Sequence, residues 1–157
     1  MKITATLLKF GEDSYPDYFG DLLRFAPDSL FTDDHQAVAL MREHEHGRTA
    51  VGVATSIWTE GGTVLGEFDL LDTDEGQQAA IELAANLRRD VSVGVYTKAM
   101  TYEPIEDAEP HPLFGPPMRG TITSADLFEV SLCFRGRMPS ARVDDVSTDP
   151  TPEGEDA

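Results

Sequence analysis

Positive charge is what this chain has least of. Twelve Lys and Arg stand against twenty-nine Asp and Glu, a formal net charge of −17 over 157 residues. Nucleic-acid phosphates are gripped by clustered cations, so this balance argues against a nucleic-acid partner. It argues equally against docking on an anionic membrane surface. Cysteine is nearly absent too: the one copy, Cys133, rules out an internal disulfide and a cysteine-based zinc cluster. A reducing compartment is the natural expectation. Long hydrophobic runs are missing, and the first apolar stretch turns acidic by Glu12, so neither a signal peptide nor a membrane span is predicted. A soluble intracellular protein is expected.

The hydrophobic fraction, 40%, lies a little under the globular norm, and part of the shortfall sits at the C-terminal end. Beyond Arg142 the chain has no positive charge and almost no large apolar residue. Residues 144–157 are therefore expected to form a disordered acidic tail, after one domain spanning residues 1–143.

Within that domain most segments read as strands. Residues 3–10 alternate, although Ala5, Leu7 and Leu8 blur the period, and residues 18–31 mix strand with turn. Residues 37–41 form a short apolar strand ending in Glu43-His44-Glu45-His46. Residues 50–59 and 63–70 flank Gly61-Gly62 and predict a hairpin. One long helix is predicted over residues 74–89. It starts at Asp72-Thr73-Asp74-Glu75, buries Ala80, Ile81, Leu83, Ala84 and Leu87, and ends with Arg88-Arg89 at its negative pole. Residues 91–102 are a strand, residues 103–117 a proline-rich acidic loop, and residues 118–132 a further extended segment, buried at 127–132. The sum is an α+β, mostly β fold: a small sheet, curled or closed into a barrel to hide its edges, with one main helix.

Ser92 stands out in the valine strand. Val91, Val93 and Val95 share one face, and Ser92, Gly94 and Tyr96 share the other. Glycine two residues beyond Ser92 leaves room before the hydroxyl, either by accident of packing or as the seat of a substrate. A serine nucleophile needs a base within hydrogen-bond reach, and the base needs a group that fixes its tautomer. Of four histidines, His35 and His111 sit in polar or proline-rich turns and read as solvated surface. His44 and His46 close an apolar strand, where a side chain can be presented to a cleft or simply to water. Their spacing also raises a metal site, but too few convergent ligands are visible beside them, so no metal and no cofactor is expected. Glu129 lies among apolar neighbours, a costly place for a carboxylate without a partner. It either orients a histidine or, with Ser131, faces water on an edge strand; Asp126 competes for the same role.

Taken in chain order, these elements resemble the tailed-phage prohead (capsid maturation) serine proteases. The residues that carry the resemblance are His44-Glu45, then Val51-Gly52, then Ser92-Val93-Gly94 after a helix, then Leu127-Phe128-Glu129-Val130-Ser131. A more distant similarity is to the herpesvirus assemblins, with Glu129 standing where their second histidine does and Gly136-Arg137 following at a matching offset; Met138 stands where assemblins have a second arginine. The resemblance implies a herpesvirus-protease-like fold and a serine endopeptidase with Ser92 as nucleophile, His44 as base (His46 being the alternative) and Glu129 as orienting acid. It further implies an oxyanion site near the backbone of Arg137. Its implied substrates are scaffold and major capsid protein, and the enzyme itself, inside the prohead in the host cytoplasm, with self-association expected. The rival expectation is a catalytically inert capsid-assembly or peptide-binding β-barrel.

Overall fold

A computed structural model describes residues 1–33 and 36–148. His35, and residues 149–157 of the expected tail, lie outside the described residues. Nine strands and one helix follow the order β1 (Lys2–Lys9), β2 (Leu22–Phe25), β3 (Leu30–Thr32), β4 (Ala39–Arg42), β5 (Gly52–Glu60), β6 (Thr63–Leu70), α1 (Asp74–Ala84), β7 (Asp90–Pro104), β8 (Met118–Cys133) and β9 (Arg142–Ser147). The fold is mostly β, as the alternating segments predict. Strands β8-β4-β5-β6-β1-β9-β7 run side by side, and β7 pairs back onto β8, so the sheet closes as a seven-stranded barrel. Closure removes the unpaired edges that a sheet this small would otherwise expose.

Strand β8 is the organising element. One of its edges pairs with β7 along nearly its whole length; the other takes β2, β3 and β4 in succession, all parallel to it. Glu129 and Ser131 therefore do not lie on an edge strand facing water: they are 2% and 0% exposed. The core is filled by Ile3, Leu7 and Leu8 of β1, Phe25, Leu40, Val51, Phe68, Leu83, Val91, Val130 and Leu132. The blurred period of β1 has a plain cause. Thr6 pairs with Leu65 and Leu8 with Val64, so Leu7 is an extra, bulged residue, and both leucines reach the core. Gly61 and Gly62 both take positive φ (58° and 79°), the two-residue turn that a twisted hairpin requires.

Helix α1 is shorter than the sequence suggests. Thr73 caps it, its hydroxyl accepting from Gly76 N at 3.1 Å, but it stops at Ala84 rather than Arg89. Asn86 and Arg88 then adopt left-handed backbone (φ 61° and 47°). Arg88 does not cap the helix pole by charge alone. Its guanidinium is drawn to Glu82 (2.6 Å) and Glu43 (3.1 Å) and lies over the Phe134 ring. The buried stripe is Gly76, Ala79 and Leu83, whereas Ile81, Ala84 and Leu87 are exposed. The barrel also continues past Val143. Residues of the expected tail form β9, where Val143 and Val146 pack on the core while Asp144 and Asp145 point outward. Val146 pairs with Ile3 and Val143 with Ala5, so Asp144 is a bulged extra residue that lets two valines three apart share the core face, and the acids between them disguised the strand. Among the described residues no helix is long and apolar enough to cross a membrane.

Candidate active site

Ser92 lies on β7 directly opposite Ser131 of β8, and Gly94 lies opposite Glu129. At the next residue the register slips: Val95 pairs with Leu127, leaving Phe128 as a bulge. The bulge reverses the alternation of β8. Leu127 faces the core before it, Val130 and Leu132 face the core after it, and Glu129 and Ser131 turn to the side that carries Ser92.

His44 comes from the turn that leaves β4. Glu43 and His44 both hold positive φ (50° and 54°), an uncommon state for non-glycine residues that requires support from outside the turn. That support comes from β8. His44 N donates to Ser131 Oγ (3.0 Å), Glu43 N donates to Leu132 O (3.0 Å), and Glu43 Oε1 accepts from Phe134 N (2.8 Å). The imidazole is thereby placed between the two strands. Its Nε2 lies 2.9 Å from Ser92 Oγ, and its Nδ1 is hydrogen-bonded to Glu129 Oε1. The second carboxylate oxygen of Glu129 accepts from Ser131 Oγ at 2.8 Å. Ser131 thus ties the acid to the backbone of the histidine, a connection that the sequence signalled only as two polar residues spaced two apart.

Burial alone would push the Glu129 carboxyl up. The hydrogen bonds from His44 and Ser131, and the charge of His44, outweigh it and hold the group below the ordinary carboxylate range. The His44 imidazole is shifted upward, chiefly by its hydrogen bond to Glu129, against a partial burial that opposes it; the charges of Glu129 and Glu43 add to the rise. With an ionised acid facing Nδ1, neutral His44 keeps its proton there and turns the Nε2 lone pair to Ser92. This is the arrangement of a base ready to receive a hydroxyl proton.

The competing assignments separate cleanly. Asp126 is bridged to Lys98 Nζ at 2.9 Å, and it is Glu129 that meets the His44 imidazole. His46 approaches Glu129 Oε1 with Nε2 at 3.3 Å and stacks edge-on against Phe128, while it is His44 that meets Ser92. His111 fastens the tip of the β7–β8 arm, its Nδ1 accepting from Leu113 N and Phe114 N. Cys133 is buried, and burial pushes its thiol up to about 12, which removes it as a rival nucleophile near neutral pH.

One expectation is corrected. The room in front of Ser92 is not an empty seat: a Cβ built on Gly94 would lie 2.3 Å from Glu129 Oε1 and 2.7 Å from its Cγ. Gly94 is open because the acid from the neighbouring strand occupies that space. The loop after β8 lies close by. Gly136 packs on the carbonyl of Val91, the residue before Ser92, and donates its N–H to Asp90 Oδ2 (3.0 Å), while the Arg137 carbonyl accepts from Tyr15 N (2.9 Å). Comparison with protein-family models, curated proteins and solved structures gives no match for this chain.

Proposed function

We propose that this protein is a serine hydrolase that works through Ser92, His44 and Glu129. The observation that carries the reading is the imidazole of His44, with Ser92 on one nitrogen and a buried, ionised carboxylate on the other. Within that class the reading is an endopeptidase of the tailed-phage prohead type, supported by the chain order of the three residues in a closed barrel with a single helix between His44 and Ser92.

In this mechanism Ser92 Oγ attacks the scissile carbonyl as its proton passes to His44 Nε2. Glu129 stabilises the imidazolium and holds its plane, and the same proton then goes to the leaving amine. Water repeats the sequence to release the acyl group. The backbone N–H of Arg137, in a loop braced against the nucleophile strand, is the proposed oxyanion donor. A cavity of about 240 Å³ adjoins His46 through Phe128; Val38, Tyr96, Leu127 and Phe128 give it an apolar wall for a substrate side chain, and Asp33, Gln36 and Asp126 give it a polar one. The substrates are scaffold and major capsid protein segments, and the enzyme itself, within the prohead in the host cytoplasm, where self-association brings copies together.

A fluorophosphonate probe tests the chemistry without knowledge of the cleavage site. Labelling of the wild-type chain at Ser92, lost in both Ser92→Ala and His44→Ala, is the expected result. Absence of labelling in wild-type protein assembled with capsid and scaffold protein would overturn the hydrolase reading in favour of an inert assembly barrel.

A further inference from the structure

Glu129 Oε1 faces two imidazoles at once. His44 Nδ1 is bonded to it and His46 Nε2 lies 3.3 Å away, and the ligand-capable atoms of the three residues all fall within 4.8 Å of one another. Two imidazoles and one carboxylate, with a fourth position open to solvent, form a donor set that suits zinc. Bonds of about 2.0–2.1 Å in a tetrahedron separate ligand atoms by roughly 3.3–3.5 Å. The His46–Glu129 distance already meets this spacing, the His44–Glu129 contact has to open, and the ring nitrogens of His44 and His46 start within 4.8 Å of each other. The carboxylate is also anchored from behind, since Ser131 Oγ holds Oε2 at 2.8 Å, the kind of outer support on which metal-binding carboxylates depend. His44 and His46 are partly exposed, with side chains 37% and 52% accessible, so an ion has a path in.

We propose that His44, His46 and Glu129 form a zinc site that competes with the triad, so that a bound zinc ion reversibly silences Ser92. The silencing rests on the serine-hydrolase reading; the binding does not. The proton count gives the mechanism. Neutral His44 carries one ring proton, on Nδ1 toward Glu129. Zinc at Nδ1 requires that lone pair, so the proton moves to Nε2, and an imidazolium would release its second proton to solvent. Nε2–H then points at Ser92 Oγ and can donate but not accept. The base is lost with all three triad residues still in place. His46 is what separates this site from an ordinary triad: without it only two ligands remain.

The full chain, titrated with cobalt(II) and then with zinc, tests the binding. One equivalent of cobalt should give the visible absorption bands of a tetrahedral site, and zinc should displace it while magnesium and calcium do not. His46→Ala should weaken binding about 100-fold and Ser131→Ala about 10-fold, whereas His111→Ala should leave it unchanged. Fluorophosphonate labelling of each protein with zinc is compared with the same protein in EDTA. Wild-type labelling should vanish in zinc and return in EDTA, and labelling of His46→Ala should be the same in both. Ring-nitrogen NMR of wild-type protein requires no variant: the signals of His44 and His46 should shift together on zinc addition. Labelled wild-type protein that shows no saturable metal binding, or ring signals of His46 that stay fixed, overturns the site. Protein that binds cobalt through His46 but is never labelled, even in EDTA, supports the metal site and sinks the hydrolase reading instead.

Discussion

Gly94→Ala adds one methyl group to the position that the carboxylate of Glu129 occupies. The new Cβ would stand 2.3 Å from Oε1, 2.7 Å from Cγ and 2.8 Å from Cδ, where ordinary contact begins at 3.4 Å. The acid therefore has to retreat by roughly 1 Å, and a displacement of that size in a catalytic constellation costs about 100-fold in rate. Glu129 is 2% exposed and held by His44 and Ser131, so its retreat also weakens buried hydrogen bonds, at about 1–3 kcal/mol of stability. The pH profile should move in a defined direction. His44 is raised mainly by its bond to Glu129, so loosening that bond shifts the alkaline-rising limb of kcat/KM toward acid. Glu129→Asp in the same chain shortens the acid by one methylene and makes space for the methyl group. The double variant should thus recover part of what Gly94→Ala loses, a coupling that a thermodynamic cycle reads directly. The assays are peptide hydrolysis across pH and urea unfolding. A Gly94→Ala protein with full activity and an unmoved pH limb would falsify the claim that Glu129 positions the base.

Further outcomes test the same geometry from other sides. Glu129→Gln keeps the shape but removes the charge that fixes the tautomer, so kcat should fall by about 10⁴, with the pH limb moved to lower pH, as steady-state kinetics will read. The His44–Glu129 pair also sets a stability window. The raised histidine contributes fully below its ordinary value of 6.5, and its contribution is lost as pH rises through the higher folded value. The lowered acid contributes above its ordinary value of 4.5, and that contribution is lost as pH falls through the lower folded value. The melting-temperature gap between wild type and His44→Ala should therefore be widest between these two values, on the acid side of the activity optimum. Iodoacetamide at neutral pH should leave Cys133 unmodified and the proposed activity intact, because the thiol is 3% exposed and pushed up to about 12. Rapid inactivation, with mass added at Cys133, would contradict that burial.

The legible parts of this molecule were those written locally. The glycine pair between two alternating runs gave the β5–β6 hairpin, and the capped, alanine-rich segment gave α1. Glu129 drew attention because a carboxylate among apolar residues needs a partner, and it has one. What escaped depends on contacts distant in sequence. The helix stops at Ala84, and beyond it Asn86 and Arg88 turn left-handed, with the Arg88 guanidinium held by Glu82 and Glu43 and laid over Phe134. Nothing in the order Leu127-Phe128-Glu129 announces a bulge, since the slip is a property of the pairing with β7. The openness at Gly94 was visible, but its occupant comes from the neighbouring strand. The role of Ser131 was hidden likewise, because it holds an acid two residues away and a backbone amide eighty-seven residues away.

Strand β8 holds a further consequence, one of timing. Ser92, His44 and Glu129, the proposed nucleophile, base and acid, sit on β7, on the turn after β4 and on β8, and His44 and Glu129 are separated by 85 positions along the chain. None of these contacts is local, so each waits on slow long-range pairing rather than on fast helix or hairpin formation. The last of the three to leave the ribosome is the acid, and His44 keeps its left-handed turn only once Ser131 and Leu132 are in register beside it. A half-made chain carrying Ser92 and His44 is thus an ordinary polypeptide, harmless to its neighbours. On the proposed reading, hydrolytic competence arrives with the closing of the barrel and cannot precede it.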